Sequence, residues 1–226
     1  MATQIHKTVP EWLESGKKYL AKERIFRSII QRHPDVLIRP MRQIDLFRSL
    51  AHAIVSQQIS GYAADAIYKR VCALFPDQRL DAAHLLTLSD GALRGAGLSN
   101  NKVRFMKDLA RHVTDGRVPS PRELRRMSDE EIIEKLTDIL GIGPWTVHML
   151  LIFKLGRPDV FPSADIGIQR GFQRLLSRRQ RPTPRFLDRY SVRWKPYRSL
   201  AAWYLWRASD DVTFSPDPGN NLWTKS

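Results

Sequence analysis

Cysteine is nearly missing from this chain. The single Cys72 among 226 residues excludes an internal disulfide and any iron–sulfur or zinc site built on four cysteines. That scarcity fits a reducing, intracellular compartment. Long apolar runs are missing too. No stretch approaches the ~18 residues of a membrane-spanning helix, and the opening MATQIHKTVPEW holds no apolar block of signal-peptide length. Neither an internal repeat nor a long alternation of apolar and polar residues is present, which leaves little for a sheet. Acids are scarce as well: 23 Asp plus Glu stand against 37 Lys plus Arg, a formal net charge of +14.

That imbalance points to a polyanionic partner, because each phosphate contact releases counterions. The basic residues are 26 Arg and 11 Lys, and the Arg fork suits phosphate better than a point charge does. An Arg-rich proteome with no binding role would leave the same composition, so charge alone favours nucleic acid without deciding it.

What is present is helical patterning almost throughout. Helix spacing of apolar residues runs through 12–33 as one or two helices, then through 45–58, 60–75, 89–97, 101–116, 128–140, 144–155 and 166–176. PRFLDRYSVRW and PYRSLAAWYLWRA supply two more, and the Pro/Gly/Asn-rich end, FSPDPGNNLWTKS, reads as extended. Ser128 and Glu131 have capping-box spacing. The expectation is an all-α protein of two helical lobes with a DNA-binding cleft between them. One lobe spans 40–160; the other joins 1–39 to 161–226. The stretch 31–43 is the first candidate hinge between lobes and the loop 156–165 the second.

The segment ILGIGPWTVHMLLIF (139–153) places two glycines and a proline where a buried helix begins. Pro144 is tolerated at the first helical position, where its missing N–H costs little. Gly141 and Gly143 permit positive φ and close approach of another backbone. The N–H groups and dipole at the next helix start favour an anion, and no acid lies between residues 139 and 158. A tight helical hairpin without a ligand has the same local geometry. Asp165, 22 residues past Gly143, precedes a helical pattern and suits an N-cap. A carboxylate kept ionised there could also stabilise an oxocarbenium-like sugar and orient or deprotonate water.

The strings then resemble a known family. LGIGPWTV is similar to the helix–hairpin–helix motif, with Val147 where Ala is usual. FPSADIG matches the FP-x-x-D-[ILV]-G segment of the HhH-GPD DNA glycosylase superfamily. AIVSQQIS, GLSNNKVRFMKDLA and RWKPYRSLAAWYLWR resemble segments of its 3-methyladenine DNA glycosylase II group, over about residues 45–208. Only ~40 residues precede DLFRSL, so the resemblance implies a short form without the N-terminal α/β domain of many relatives.

The resemblance implies an enzyme that flips an alkylated base out of duplex DNA and hydrolyses its glycosidic bond, leaving an abasic site. Asp165 is the implied catalytic residue, and Trp145, Trp194 and Met149 the implied base pocket. An indole face attracts a cationic base by ~0.5–2 kcal/mol. Gln58, Lys102, Gly141, Gly143 and Thr146 are implied to contact DNA, with Gln58 as the wedge; capping of the preceding helix is the plainer reading of Gln57 and Gln58. Trp203 and Trp206, on an apolar helix, read as core. Strand-cutting relatives carry Lys where Trp145 stands, and no Lys lies between 136 and 153, so base excision alone is expected. No catalytic cofactor is implied; the carbonyls of Thr137, Ile139 and Ile142 could hold Na+ or K+. The expected protein is an intracellular, DNA-associated monomer that does not enter membranes. A non-catalytic helix–hairpin–helix module is the alternative. A helix-turn-helix regulator fits poorly, because the helix after the turn is too apolar for a groove.

Overall fold

The computed structural model describes residues 9–41 and 44–214. Thirteen α-helices lie among them: α1 Trp12–Leu20, α2 Arg24–Arg32, α3 Leu46–Ser56, α4 Gly61–Cys72, α5 Ala82–Thr87, α6 Asp90–Gly95, α7 Asn100–Thr114, α8 Pro121–Arg126, α9 Asp129–Thr137, α10 Pro144–Leu150, α11 Ile166–Leu175, α12 Pro184–Ser191 and α13 Arg198–Asp210. No strand runs through the described residues, so the all-α expectation holds. The extended reading of FSPDPGNNLWTKS falls, apart from Phe214, outside them.

The chain divides into two compact units, Gln43–Val147 and Met1–Arg42 with His148–Ser226. In the first, the helix starts are set by short polar side chains. Asp45, Ser60, Asp81, Ser89, Ser99, Ser120 and Ser128 each accept an N–H from the first turn of the helix they precede, satisfying a donor the helix leaves unpaired. Ser128 with Glu131 forms the expected capping box, and Ser120 with Glu123 forms a second. Helices α5 and α8, six residues each, are too short to show apolar periodicity; α6, of the same length, is legible only through its Ser89 start and Gly97 stop. Helix α7 is central here, packing on α3, α5 and α6 with Val103, Met106, Leu109 and Ala110 buried.

In the second unit α13 is central and packs on α1, α2 and α11. Residues 199–205 of α13 are all buried, so this helix is enclosed on every side. It lies so close to α11 that a Cβ on Gly171 would stand 1.9 Å from the Leu205 carbonyl oxygen; only glycine fits there. Residues 148–160, grouped on sequence with the hairpin lobe, are held in this unit. Arg198 grips Asp159 with Nε to Oδ1 at 2.7 Å and Nη2 to Oδ2 at 2.8 Å. The Ser199 N–H donates to the Pro158 carbonyl at 2.9 Å. The loop before Asp165 is thereby pinned to the start of α13.

Candidate active site and nucleic-acid interface

The hairpin belongs to the unit of residues 43–147. Helix α9 ends at Thr137, the chain turns through Leu140-Gly141-Ile142-Gly143, and Pro144 opens α10. The two glycines do different things. Gly141 has φ +81°, and a Cβ there would meet the Phe105 ring at 2.3 Å. Gly143 has no positive φ, and a Cβ on it would meet nothing within 4 Å. Gly141 is thus required by the protein's own packing, whereas the space over Gly143 is open to an external group.

Helix α7 braces this turn with side chains three residues apart. Phe105 lies against Gly141, and the Asp108 Oδ2 accepts the Leu140 N–H at 2.9 Å. Lys102, expected on the DNA, instead donates through Nζ to the carbonyls of Val55 at 2.7 Å and Gln57 at 2.8 Å. Those carbonyls close the C-terminal end of α3, where an ammonium is favoured. Burial pushes the Lys102 amine below its usual value. Lys102 therefore braces the turn, with its ammonium held by two backbone carbonyls.

Gln57 and Gln58 also separate. Gln57 donates through Nε2 to the Gly141 carbonyl at 2.6 Å, tying the α3–α4 turn to the hairpin. Gln58 is exposed and has φ +60°, a conformation that costs a residue with a Cβ ~1–2 kcal/mol. Such strain persists where the surroundings impose it and is common at functional sites. Ile59 is exposed beside it, and Tyr62, at 90 % exposure, stands in the first turn of α4. Trp145 is 53 % exposed on the first turn of α10, but Thr146 is only 9 % exposed.

In the other unit, Asp165 caps α11: Oδ1 accepts the Ile168 N–H at 2.9 Å. The same oxygen accepts Trp206 Nε1–H, also at 2.9 Å. The core reading of Trp206 is half right. Its indole ring does pack on Phe153, with centroids 5.7 Å apart, but its N–H is spent on the carboxylate. Sequence reasoning misses this pairing because the partners are 41 residues apart and no local pattern links them. Met149, on α10, is half-buried in this unit.

Trp194 does not keep its expected place. It is 0 % exposed, enclosed by Phe26, Phe161 and Tyr190 at ring distances of 5.0, 5.6 and 5.5 Å. It presents no open face on which a base could stack, so the structure assigns it to the aromatic core. Among the described residues no group of three or more His, Cys, Asp or Glu could hold a metal ion, and no helix is long and apolar enough to cross a membrane.

Residues 51–196 match the family described as HhH-GPD superfamily base excision DNA repair protein. The chain is 37 % identical over 172 residues to DNA-3-methyladenine glycosylase 1 of Schizosaccharomyces pombe, covering 76 % of this chain and 75 % of that one. Among solved structures it is similar to a DNA-3-methyladenine glycosidase from Bacillus halodurans, with a TM-score of 0.77, 34 % identity, and 93 % and 94 % of the two chains covered. It is also similar to the S. pombe 3-methyladenine DNA glycosylase in complex with abasic DNA, with a TM-score of 0.78, 30 % identity, and coverage of 89 % and 99 %. With its hairpin turn, its capping aspartate and a family match over most of its length, the chain belongs to the HhH-GPD superfamily of base excision DNA repair proteins.

Proposed function

We propose that this protein, acting as an intracellular monomer, is a monofunctional glycosylase that releases alkylated bases of the 3-methyladenine type from double-stranded DNA. The observation that carries this reading is Asp165, half-buried at the head of α11 with one oxygen held by both the Ile168 N–H and Trp206 Nε1. Two donors on one oxygen fix the rotamer, so the carboxylate's charge is aimed before the substrate arrives.

In the reaction, the bond between C1′ and the base nitrogen breaks and its electron pair leaves with the base. An alkylated purine already carries positive charge and departs as a neutral molecule, so little acid catalysis is needed. Asp165 stabilises the cationic sugar, and water adds its oxygen to C1′ while its proton passes to the carboxylate. Flipping the nucleotide out costs a few kcal/mol, less for a damaged base. Gln58, held out on the turn, is suited to fill the gap left in the stack, where an apolar wedge is the commoner device. The exposed Trp145 face attracts the cationic base by ~0.5–2 kcal/mol. As a tryptophan it cannot form the Schiff base that strand cutting requires.

The open space over Gly143 and the start of α10 suit a backbone phosphate. The carbonyls of Thr137, Ile139 and Ile142 are neutral oxygens of the kind an alkali cation takes; that of Ile139 already accepts the Ile142 N–H at 3.0 Å, which leaves it one lone pair. A cation there would add positive charge beside the phosphate.

The deciding experiment is Asp165→Asn. Asn is as good an N-cap as Asp, so the fold should persist. Release of methylated base from treated DNA should vanish while duplex binding survives. Unchanged release would reject the catalytic assignment and leave a DNA-binding module.

A further inference from the structure

Residues 170–189 carry seven arginines and one acid, Asp188, a net of six positive charges out of fourteen for the whole chain. The stretch lies wholly in the unit that contains Asp165. Arg170, Arg174 and Arg178 recur at four-residue spacing and so share one side of α11 and its end. With Gln173 and Ser177 they line an open cleft of about 480 Å³.

This cleft is held in shape by specific bonds. Arg174 donates through Nη1 and Nη2 to the carbonyls of Ala208 at 3.4 Å and Val212 at 2.7 Å. The Arg178 guanidinium lies 4.7 Å from the Phe186 ring centroid. Gln173 Nε2 donates to the carbonyls of Arg178 and Arg179, each at 3.2 Å. Ser177 takes φ +48°, a left-handed conformation a serine adopts at a cost. It turns the chain back so that the Arg178 N–H reaches the Gln173 carbonyl at 2.9 Å. Arg170, Arg179 and Arg185 are exposed and make no ion pair among the described residues. Like charges gathered this densely repel one another, and an anion seated among them relieves that repulsion. Guanidinium forks match phosphate bidentately.

We propose that this cleft, together with the exposed Arg185 of the same stretch, is a second phosphate-binding surface, whose ligand is the backbone of the same DNA duplex on one flank of the damaged nucleotide. The proposal rests on the glycosylase reading of Asp165. Continuity selects the duplex: α11 begins at the residue beside which the target sugar must lie. At ~1.5 Å per residue, Arg174 stands about 14 Å along the helix from Asp165. A duplex engaged at Asp165 brings a dense row of phosphates to the same unit of the protein, whereas an acidic protein would have to be recruited separately.

The test compares wild type with Arg170→Ala/Arg185→Ala and with Arg170→Glu/Arg185→Glu. Both positions are exposed, so the fold should survive. Affinity is measured by anisotropy on duplexes with short and long flanks, damaged and undamaged, between about 50 mM and about 200 mM salt. Base release is followed in single turnover with enzyme saturating. Wild type should bind tighter as one flank lengthens. The alanine pair should lose that gain, and its salt slope should become shallower by up to about 1.8, at ~0.9 per phosphate contact. Its salt penalty over that fourfold range then shrinks by up to about 12-fold. The glutamate pair should bind the long flank no better than the short one. Saturated base release should be the same in all three. An unchanged flank gain and slope in the variants would overturn the proposal, including the case where the cleft captures an acidic protein instead. If wild type releases no base at all, the glycosylase reading fails, and the undamaged duplexes still decide the cleft.

Discussion

Replacing Trp206 with Phe isolates one bond at the site. The ring that packs on Phe153 at 5.7 Å is largely kept, while the Nε1–H that reaches Asp165 Oδ1 at 2.9 Å is deleted. Ile168 N–H continues to hold the same oxygen, so the helix cap remains. A hydrogen bond to a charged acceptor is worth ~1.5–3 kcal/mol net. If that bond aims the carboxylate at the sugar, its loss appears in the transition state. At ~1.4 kcal/mol per tenfold, base release should slow by about 12- to 150-fold. The assay is single-turnover release of methylated base with enzyme in excess, alongside duplex binding and a thermal melt. Duplex binding should be close to wild type, while Tm should fall by about 2–4 °C for each kcal/mol of the bond that is lost. A rate equal to or above wild type in a folded variant would refute the reasoning. It would mean that Trp206 withholds carboxylate charge from the sugar rather than directing it.

Three further perturbations test other parts of the molecule. Gly143→Ala should leave Tm unchanged, since its Cβ would meet nothing within 4 Å, yet weaken DNA binding about tenfold by occupying the phosphate's space; Gly141→Ala should instead lower Tm through its clash with Phe105. Equal DNA affinity for Gly143→Ala and wild type would reject the phosphate grip. Gln58→Gly should keep or raise Tm, by at most about 3 °C for ~1 kcal/mol of relieved strain, while slowing base release from duplex DNA; full activity on duplex would show that no side chain is needed there. The hydroxyl of Thr213, and next the Arg32 guanidinium, hold the Asp211 carboxyl well below the usual carboxylate range. Folded Asp211 then binds fewer protons than in the unfolded chain. Its contribution is complete above about pH 4 and is lost as pH falls below that. The Tm gap between wild type and Asp211→Asn should therefore close on acidification, and a gap that widens would contradict the assignment.

Short-range rules make part of this molecule legible from residue order alone. Helix class is written in apolar spacing, and helix starts in Ser and Asp caps. The hairpin is written in Gly-x-Gly-Pro ahead of an apolar helix, and Asp165 in its place before α11. Each of these depends on residues a few positions apart, so one chain segment contains the whole signal. Residues whose partners are distant in sequence acquire their roles only when the chain folds. Lys102 is 47 residues from the Val55 carbonyl it caps, and Gln57 is 84 from the Gly141 carbonyl it holds. On sequence their side chains look available for DNA because nothing nearby consumes them. Trp194 and Trp206 depart from their expected roles for the same reason. An indole is equally at home in a core or at a polar tip, and only the packing of Phe26, Phe161 and Tyr190 around one, and the approach of Asp165 to the other, settles which is which.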